Sequence, residues 1–417
     1  MALALDDHDR TLLSGERGEA TALAMRIVVE MAGVMDADRL IDVSGAHVDG
    51  CLYHGLAGLE FAERLARAGA RVHVPTTLNV GALDLLHLER TRLDAETAAR
   101  ARRQMDAYVS MGCRPTWTCA PYQLPDRPAF REHVAWAESN AIVFCNSVLG
   151  ARTNRYGDFL DVCAAITGRV PLAGLHLDDA RRANLVLRLE RISDALLGSD
   201  ALFPVLGHVA GREAGSAVPA VVGLPAHTGE DRLKALGAAA ASSGAVAMFH
   251  AVGITPEAPT LQAATGGRPV PEVPVTLERL RSARDELGPA AGDRLGAVCV
   301  GTPHASADEL ERLAGLLAGR RPAVPLWVNT GRDVLARAGR VAAELDRSGV
   351  RIVTDTCTYL APLIGRVDGP VMTDSGKWAW YAPANLGVEV AMGGLEECVR
   401  SALAGRIVRD RSLWGDG

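Results

Sequence analysis

The sequence reads M-G-C-R-P-T-W-T-C-A-P-Y-Q-L-P over residues 111–125 and A-W-A-E-S-N-A-I-V-F-C-N-S-V-L-G-A-R-T-N-R-Y-G-D over residues 135–158. This stretch shows neither the period of a surface helix nor the alternation of a half-buried strand. Its polar side chains are crowded among Pro, Gly and Trp, and such groups are costly to bury unless they bind something. Because mostly apolar pockets with a few convergent polar groups are built this way, the stretch predicts the floor of an active site.

Six polar side chains of this stretch are predicted to contact substrate: Ser139, Asn140, Asn146, Ser147, Arg152 and Thr153. A cationic residue such as Arg152 or Lys377 is predicted to pair with a substrate carboxylate, and a guanidinium group suits its bidentate geometry better. Cys119 lies in the same stretch, where polar neighbours are able to stabilise a thiolate that binds a metal.

The composition of the 417-residue chain, with 48% hydrophobic residues, 43 Gly and 4% aromatics, is typical of an α/β enzyme rich in small apolar residues. Its length predicts two or three subdomains. A net charge of −6 without a basic stripe argues against a nucleic-acid partner. The N-terminus lacks a signal-peptide pattern, and no apolar run reaches the roughly 18 residues that cross a bilayer, so we expect a cytoplasmic protein without a membrane partner.

Strand and helix patterns alternate along the chain and predict parallel sheets. A strand over 40–43, an amphipathic helix over 58–69 and a strand over 71–79 form one strand–helix–strand unit. Polar side chains follow several predicted strands, where α/β proteins bind ligands. These side chains include Thr76, Thr77, His304, Asn329, Cys357, Ser375 and Lys377.

The predicted organisation has three parts. Residues 1–258 form an α/β region that carries most site motifs, 259–275 are a linker rich in Pro, Thr and Gly, and 276–417 form a second α/β subdomain with the G-T-P-H and D-T-C loops. Residues 202–211 are predicted to be rich in loops. Ser306, with Glu309 three residues later, predicts a capping box at the start of a helix.

Eight cysteines without a C-x-x-C pair argue against a zinc ribbon or a ferredoxin-type cluster. Three of them lie in polar, turn-like segments and are candidate metal ligands: Cys51 in D-G-C-L-Y-H-G, Cys119 in W-T-C-A-P-Y and Cys357 in T-D-T-C-T-Y. One alternative is a zinc-dependent hydrolase, with His47, Asp49, His54 and His304 as ligands. Another is an assembly scaffold without catalysis.

Three motifs of the central stretch resemble the large, catalytic subunit of the aconitase X family: T-C-A-P-Y-Q, A-W-A-E-S-N-A and N-S-V-L-G-A-R-T-N-R-Y-G-D-F. The resemblance extends over nearly the whole chain and implies an iron-dependent hydro-lyase. The implied fold is α/β and aconitase-like, with two or three subdomains and mainly parallel sheets around a central metal-site cleft. Iron with an open coordination position helps a hydroxyl group to leave the substrate.

The resemblance assigns the metal centre to Cys119 and Cys357, and the D-G-C-L-Y-H-G segment, similar to the bacterial hydroxyproline branch, adds Cys51. Thr302 in G-T-P-H replaces the Cys of the branch that resembles mevalonate 5-phosphate dehydratase. This difference favours dehydration of cis-3-hydroxy-L-proline to Δ1-pyrroline-2-carboxylate, with mevalonate 5-phosphate as the alternative substrate. The implied cofactor is an iron–sulfur cluster, with 2Fe–2S favoured over mononuclear iron or 4Fe–4S.

The predicted catalytic residues are His47, Ser375 and Lys377, and Thr76, Thr77 and His304 are further predicted substrate contacts. The family also uses a small swivelling domain with a catalytic serine, and we recognise no such segment after Lys377. The resemblance therefore predicts a separate small subunit as the partner and a small hydroxy acid as the substrate.

Overall fold

The computed structural model describes residues 3–290 and 292–415. The chain divides into two compact units. The first unit contains the residues up to Leu83 together with Leu93–Arg182, and the second contains Asp84–Arg92 together with the residues from Ala183 onward. The short segment Asp84–Arg92 thus packs with residues that follow it by about a hundred positions or more along the chain.

The first unit combines six helices and five short strands within its described residues. Its helices are α1 (Asp7–Ser14), α2 (Glu19–Val34), α3 (Leu56–Arg67), α4 (Ala95–Ser110), α5 (Ser139–Phe144) and α6 (Leu160–Thr167). Its strands are β1 (Leu40–Asp42), β2 (Ala46–Val48), β3 (Thr76–Leu78), β4 (Ala135–Trp136) and β5 (Arg169–Pro171). Strand β2 pairs in parallel with β3 and β4, and β1 pairs antiparallel with β5.

Local sequence explains the helices of the first unit. The predicted amphipathic helix is confirmed as α3, whose Leu59, Ala62 and Leu65 are buried. Helix α6 ends at Gly168, which adopts a φ of 70° that favours glycine. The polar segment over Cys145–Leu149 continues α5 as a single π-helical turn, a feature that is often found at functional sites.

The second unit holds two parallel sheets and ten helices within its described residues. Its helices are α7 (Asp194–Leu197), α8 (Leu202–Ala214), α9 (Glu230–Ser243), α10 (Leu261–Thr265), α11 (Leu277–Leu287), α12 (Ala307–Leu317), α13 (Arg332–Arg337), α14 (Gly339–Arg347), α15 (Gly376–Leu386) and α16 (Leu395–Ala404). Its strands are β6 (Leu185–Leu189), β7 (Pro219–Val222), β8 (His250–Ala251), β9 (Glu272–Val275), β10 (Ala297–Ala305), β11 (Leu326–Thr330), β12 (Arg351–Val353), β13 (Val371–Thr373) and β14 (Val390–Met392).

Both sheets of the second unit are parallel, with strand orders β8-β7-β6-β9 and β12-β11-β10-β13-β14. The predicted α/β class with mainly parallel sheets is therefore confirmed. Leu310 and Leu313 of α12 share a buried core with Val298 of β10 and Val328 of β11. Because parallel strands end at the same edge of a sheet, the loops after β10, β11 and β12 start from one edge.

The prediction of a loop-rich passage over 202–211 is wrong, because these residues lie in the buried helix α8. Its glycines are packing sites: a Cβ at Gly207 would lie 2.2 Å from Leu236 O, and one at Gly211 would lie 2.6 Å from Ala240 O. The backbones of α8 and α9 approach closely only because neither position carries a side chain.

The stretch 259–275, predicted as a linker, contains α10 and β9. Strand β9 pairs with β6, so this stretch contributes to a sheet of the second unit. The capping box at α12 is confirmed, because the Ser306 side chain accepts the Glu309 N–H and the Glu309 side chain accepts the Ser306 N–H. No helix in the described part of the chain combines the length and apolarity needed to cross a membrane.

Candidate functional site

The Cys119 loop of the first unit is held by side chains that follow it in sequence. Cys119 is buried, and its carbonyl oxygen accepts a hydrogen bond of 2.7 Å from the Asn140 side-chain amide. The Tyr122 hydroxyl donates to Asn140 Oδ1 at 2.6 Å. The Tyr122 ring stacks on Phe144, with 3.8 Å between the ring centroids. These contacts fix the backbone of Cys119 and restrict the orientation of its thiol.

Glu138 organises the A-W-A-E-S-N-A segment at the start of α5. Its φ of 71° lies in the left-handed region, which is costly for a residue other than glycine. Its carboxylate caps α5 by accepting the Ala141 N–H at 2.8 Å, and it also accepts from the Asn140 amide. Ser139 Oγ donates to Glu138 Oε1 at 3.2 Å. The predicted contacts Ser139 and Asn140 therefore lie in one preorganised cluster around Glu138.

His47 on β2 is fully buried beside Thr77 on β3. Its Nδ1 lies 2.8 Å from Thr77 Oγ1, whereas its Nε2 has no hydrogen-bond partner among the described residues. Burial lowers the pKa of His47 to about 4, and the negative charge of Glu138 opposes this effect only in part. His47 is thus neutral at pH 7, with one ring nitrogen left for a ligand. The neighbouring Thr76 hydroxyl donates to the Val74 carbonyl at 2.8 Å.

Several predicted substrate contacts bond to the framework of the first unit. Asn146 Nδ2 donates to Thr153 O at 2.9 Å, and Asn146 Oδ1 accepts from Thr153 N at 3.0 Å. Arg181 Nη1 also donates to Asn146 Oδ1, at 3.0 Å. Arg152 is buried and forms an ion pair with Asp178. These bonds are structural, so a direct contact of these side chains with substrate stays a prediction.

Cys51 lies in a different environment from Cys119. Its Sγ is 3.2 Å from Asn79 O and within 3.7 Å of the carbonyl oxygens of Val48 and Val80. Burial, and then the negative charge of Asp49, raise the pKa of the Cys51 thiol well above its ordinary value. Among the described residues, Cys51 is not part of any set of three or more side chains that are close enough to hold a metal ion. His47, Asp49 and His54 do not form such a set either.

His304 and Cys357 come together in the second unit from the irregular end of β10 (Gly301–Ala305) and from the loop after β12. Both are buried, and a ring nitrogen of His304 lies within 4.8 Å of Cys357 Sγ. His304 Nε2 is also 3.2 Å from the carbonyl oxygen of Thr356. A thiolate and an imidazole are ligands that suit iron, zinc and iron–sulfur centres, so this pair is a candidate metal-binding element.

Asn329, near the end of β11, connects the end of β10 with the loop after β12. Its Nδ2 lies 3.2 Å from Val300 O, 3.0 Å from Thr302 Oγ1 and 3.1 Å from Thr358 Oγ1. Its Oδ1 accepts from Thr358 N at 3.0 Å. Trp378 Nε1 also donates to Thr358 Oγ1, at 3.1 Å. Asn329 therefore orients the backbone on both sides of the His304 and Cys357 pair.

The T-D-S-G-K segment follows β13 at the same edge of the sheet. Ser375 caps α15, because its Oγ accepts the Trp378 N–H at 3.0 Å, and Lys377 is buried in the first turn of that helix. Asp374 was not among the predicted site residues. Burial, and then the negative charge of Glu309, raise the pKa of Asp374 to about 7, close to the value that suits an acid or base at neutral pH.

Two further residues of the site were missed by sequence reasoning, Tyr122 and Thr358. Both stand within three positions of a predicted metal-binding cysteine, in C-A-P-Y and D-T-C-T. Ser147, which was predicted, is buried in the π-helical turn over Cys145–Leu149. The motifs around the two cysteines were the only indication of these residues in the sequence. The hydrogen bonds of each side chain depend on the fold.

Almost every described helix and strand lies in a segment that matches a known protein-family domain. Residues 2–179 match the aconitase X first domain, 183–285 the second domain and 295–404 the third domain. A crystal structure of Thermococcus kodakaraensis aconitase X in its holo form superposes with a TM-score of 0.85 and 33% sequence identity, over 96% of this chain and 100% of that chain.

Named relatives are dehydratases. The chain is 46% identical to a cis-3-hydroxy-L-proline dehydratase of Pseudomonas aeruginosa, over 98% of this chain and 72% of that protein. It is 41% identical to the enzyme of that name from Hypocrea jecorina, over 97% of this chain and 69% of that protein. It is 38% identical to a phosphomevalonate dehydratase large subunit of Methanothermobacter thermautotrophicus, over 92% of this chain and 95% of that protein.

Proposed function

The chain belongs to the aconitase X family, and on that premise we propose that it is the large subunit of an iron-dependent hydro-lyase. Its proposed reaction is the dehydration of cis-3-hydroxy-L-proline to Δ1-pyrroline-2-carboxylate. The observation that carries this proposal is the similarity, over nearly the whole chain, to two dehydratases named for that substrate.

The proposed metal ligands in the second unit are Cys357 and His304, and the family resemblance adds Cys119 of the first unit. The fit rests on donor chemistry, because buried thiols and a buried imidazole are ligand types that suit iron or an iron–sulfur cluster. When bound, such a centre supplies a Lewis acid that polarises the leaving hydroxyl group. The sequence-based assignment of Cys51 to the third position remains the alternative to His304, and the favoured cluster remains 2Fe–2S.

The roles of the other side chains follow from their protonation and bonding. Neutral His47 presents Nε2 as a group that accepts or donates a proton at the substrate. Asn140, held by Tyr122 and Glu138, fixes the Cys119 loop. Lys377 and Ser375 are the proposed second-unit contacts to the substrate carboxylate.

A separate small subunit is the proposed partner, because several archaeal relatives are named as large subunits. The proposed base that removes the α-proton is a serine of that subunit. Loss of general-base catalysis costs roughly 10²–10⁴-fold in rate. We therefore expect the chain alone, loaded with iron, to turn over cis-3-hydroxy-L-proline at least about a hundred times more slowly than the assembled enzyme.

The test is an anaerobic co-purification of the chain with its small subunit, followed by iron and sulfide analysis and an assay of Δ1-pyrroline-2-carboxylate. Mevalonate 5-phosphate is the matched alternative substrate, because five relatives are phosphomevalonate dehydratase large subunits. Turnover of mevalonate 5-phosphate, with none of the hydroxyproline, would overturn the proposed substrate. Zinc in place of iron would favour the hydrolase alternative.

A further inference from the structure

A buried lysine of the second unit lies directly behind the irregular end of β10 that carries His304. Lys234 on α9 is only 4% exposed, and its Nζ lies 3.5 Å from the His304 carbonyl oxygen. The same Nζ is 3.0 Å from Asp231 Oδ1 and pairs with Glu309 Oε2. A buried ammonium group requires such partners, because burial without them would drive off its proton.

The partners of Lys234 form hydrogen bonds with Ser306, which directly follows β10. Glu309 Oε2 accepts the Ser306 N–H at 2.9 Å, and Ser306 Oγ accepts the Glu309 N–H at 3.2 Å. Ser306 Oγ also donates to Asp231 Oδ2 at 2.7 Å. Lys234, Asp231, Glu309 and Ser306 therefore form a closed network that spans the start of α9 and the start of α12.

The near end of this segment is held from another strand. Asp374, after β13, accepts a hydrogen bond from the backbone N–H of Gly301. The segment from Gly301 to Ser306, the end of β10 and the cap of α12, is thus held at its first residue, at the His304 carbonyl and at its last residue. Packing alone would not require these charges, and a buried ion pair contributes little net stability over apolar residues of similar volume.

We propose that Lys234 is a positioning residue for His304: with Asp231 and Glu309 it holds the His304 backbone so that the imidazole faces Cys357. This inference rests on the proposed role of His304 at the metal centre and adds a residue to that site. Partners in the layer behind metal ligands typically change metal affinity by about 10- to 100-fold when they are removed.

The test compares Lys234→Met with Lys234→Arg and with Arg169→Met. Arg169 is a matched control, because it is a buried cation of the first unit that pairs with buried Asp9. Both Met variants break a buried ion pair, and both should lower the thermal midpoint. Only Lys234→Met should speed hydrogen exchange in peptides that cover 301–306, weaken iron binding about 10- to 100-fold and alter the visible absorption spectrum of the iron-loaded protein. Lys234→Arg, which keeps the charge, should recover part of each change.

A double variant separates positioning from stability. Lys234→Met with Glu309→Gln removes two of the three charged side chains while Gln still completes the capping box. The thermal midpoint should therefore rise above that of Lys234→Met, towards that of the wild type. Iron binding should remain weak, because the contact to the His304 carbonyl is still absent.

Three results would overturn the inference: unchanged exchange in 301–306 for Lys234→Met, equal loss of iron in Arg169→Met, or normal iron binding in His304→Ala. Hydrogen exchange of the metal-free chain requires neither iron nor substrate. If the proposed substrate is wrong, this measurement still tests the role of Lys234. A failure of the proposed function can therefore be distinguished from a failure of this inference.

Discussion

Cys51 and Cys357 both follow short strands in loops rich in polar residues, yet their surroundings differ. The Cys51 thiol faces backbone carbonyl oxygens, the nearest being Asn79 O at 3.2 Å. Cys357 Sγ instead lies within 4.8 Å of a ring nitrogen of His304. Carbonyl oxygens accept the proton of a thiol and disfavour its thiolate, whereas an imidazole adds a second metal donor. Polar sequence context therefore predicts the same role for both thiols, and the atoms opposite each sulfur distinguish them.

The largest expected effect tests the Cys357 side of this comparison. In the assembled enzyme, Cys357→Ser replaces a soft thiolate with a hydroxyl, so most of the iron should be lost and turnover should fall by at least about a hundredfold. Iron content and initial rate are the measurements. Cys398→Ser is the control, because Cys398 is a buried cysteine of the same unit whose Sγ contacts Gly393 O. Equal losses in both variants would contradict a ligand role for Cys357.

Asn329 sharpens the comparison, because it connects the segments that carry the candidate ligands His304 and Cys357. Asn329→Ala leaves several buried groups of those segments unbonded, and we expect a loss of about 2–3 kcal/mol in the free energy of unfolding. Denaturation by urea measures this loss. Asn385→Ala, which removes one bond to Tyr359 O, should cost less than about 1 kcal/mol. Similar costs for the two variants would show that the connecting role of Asn329 is unimportant.

In the region of Cys51, His47 on β2 should make the free energy of unfolding depend on pH. The folded-state pKa of about 4 lies below the unfolded value of 6.5, so the unfolded chain binds more protons between these values. The contribution of His47 is fully present above pH 6.5 and is lost as the pH falls towards 4; about 2 kcal/mol should be lost between pH 7 and pH 5. His47→Gln should remove this part of the slope of unfolding free energy against pH. An unchanged slope would mean that His47 titrates normally.

The smallest expected effect is that of Cys51→Ser. The serine hydroxyl is able to donate to the same carbonyl oxygens, so we expect less than about 1 kcal/mol of lost stability and full retention of iron. Iron analysis of Cys51→Ser and Cys357→Ser in parallel decides whether Cys51 or His304 is the third ligand. Loss of iron in Cys51→Ser would make the sequence-based assignment right and would place His304 outside the ligand set.

Short-range patterns could be predicted from the sequence. The capping box of α12 requires only Ser306 and Glu309, and the buried face of α3 follows from the spacing of Leu59, Ala62 and Leu65. The family was recognisable from motifs of six to fourteen residues. These features depend on groups that are neighbours along the chain, so a short stretch of sequence is enough to predict them.

The sequence by itself therefore determined the α/β class, the family and the motifs that carry the chemistry. Only the tertiary structure decided which groups the side chains of those motifs bond to. The acceptor of the Cys51 thiol comes from 28 residues away, and Asn329 bonds groups 29 residues away on each side. The stretch 202–211 was predicted to be rich in loops, whereas its Gly207 and Gly211 lie in a helix and allow close packing against α9. The physical reason is that a hydrogen bond or a close packing contact belongs to two segments, and a local pattern describes only one of them.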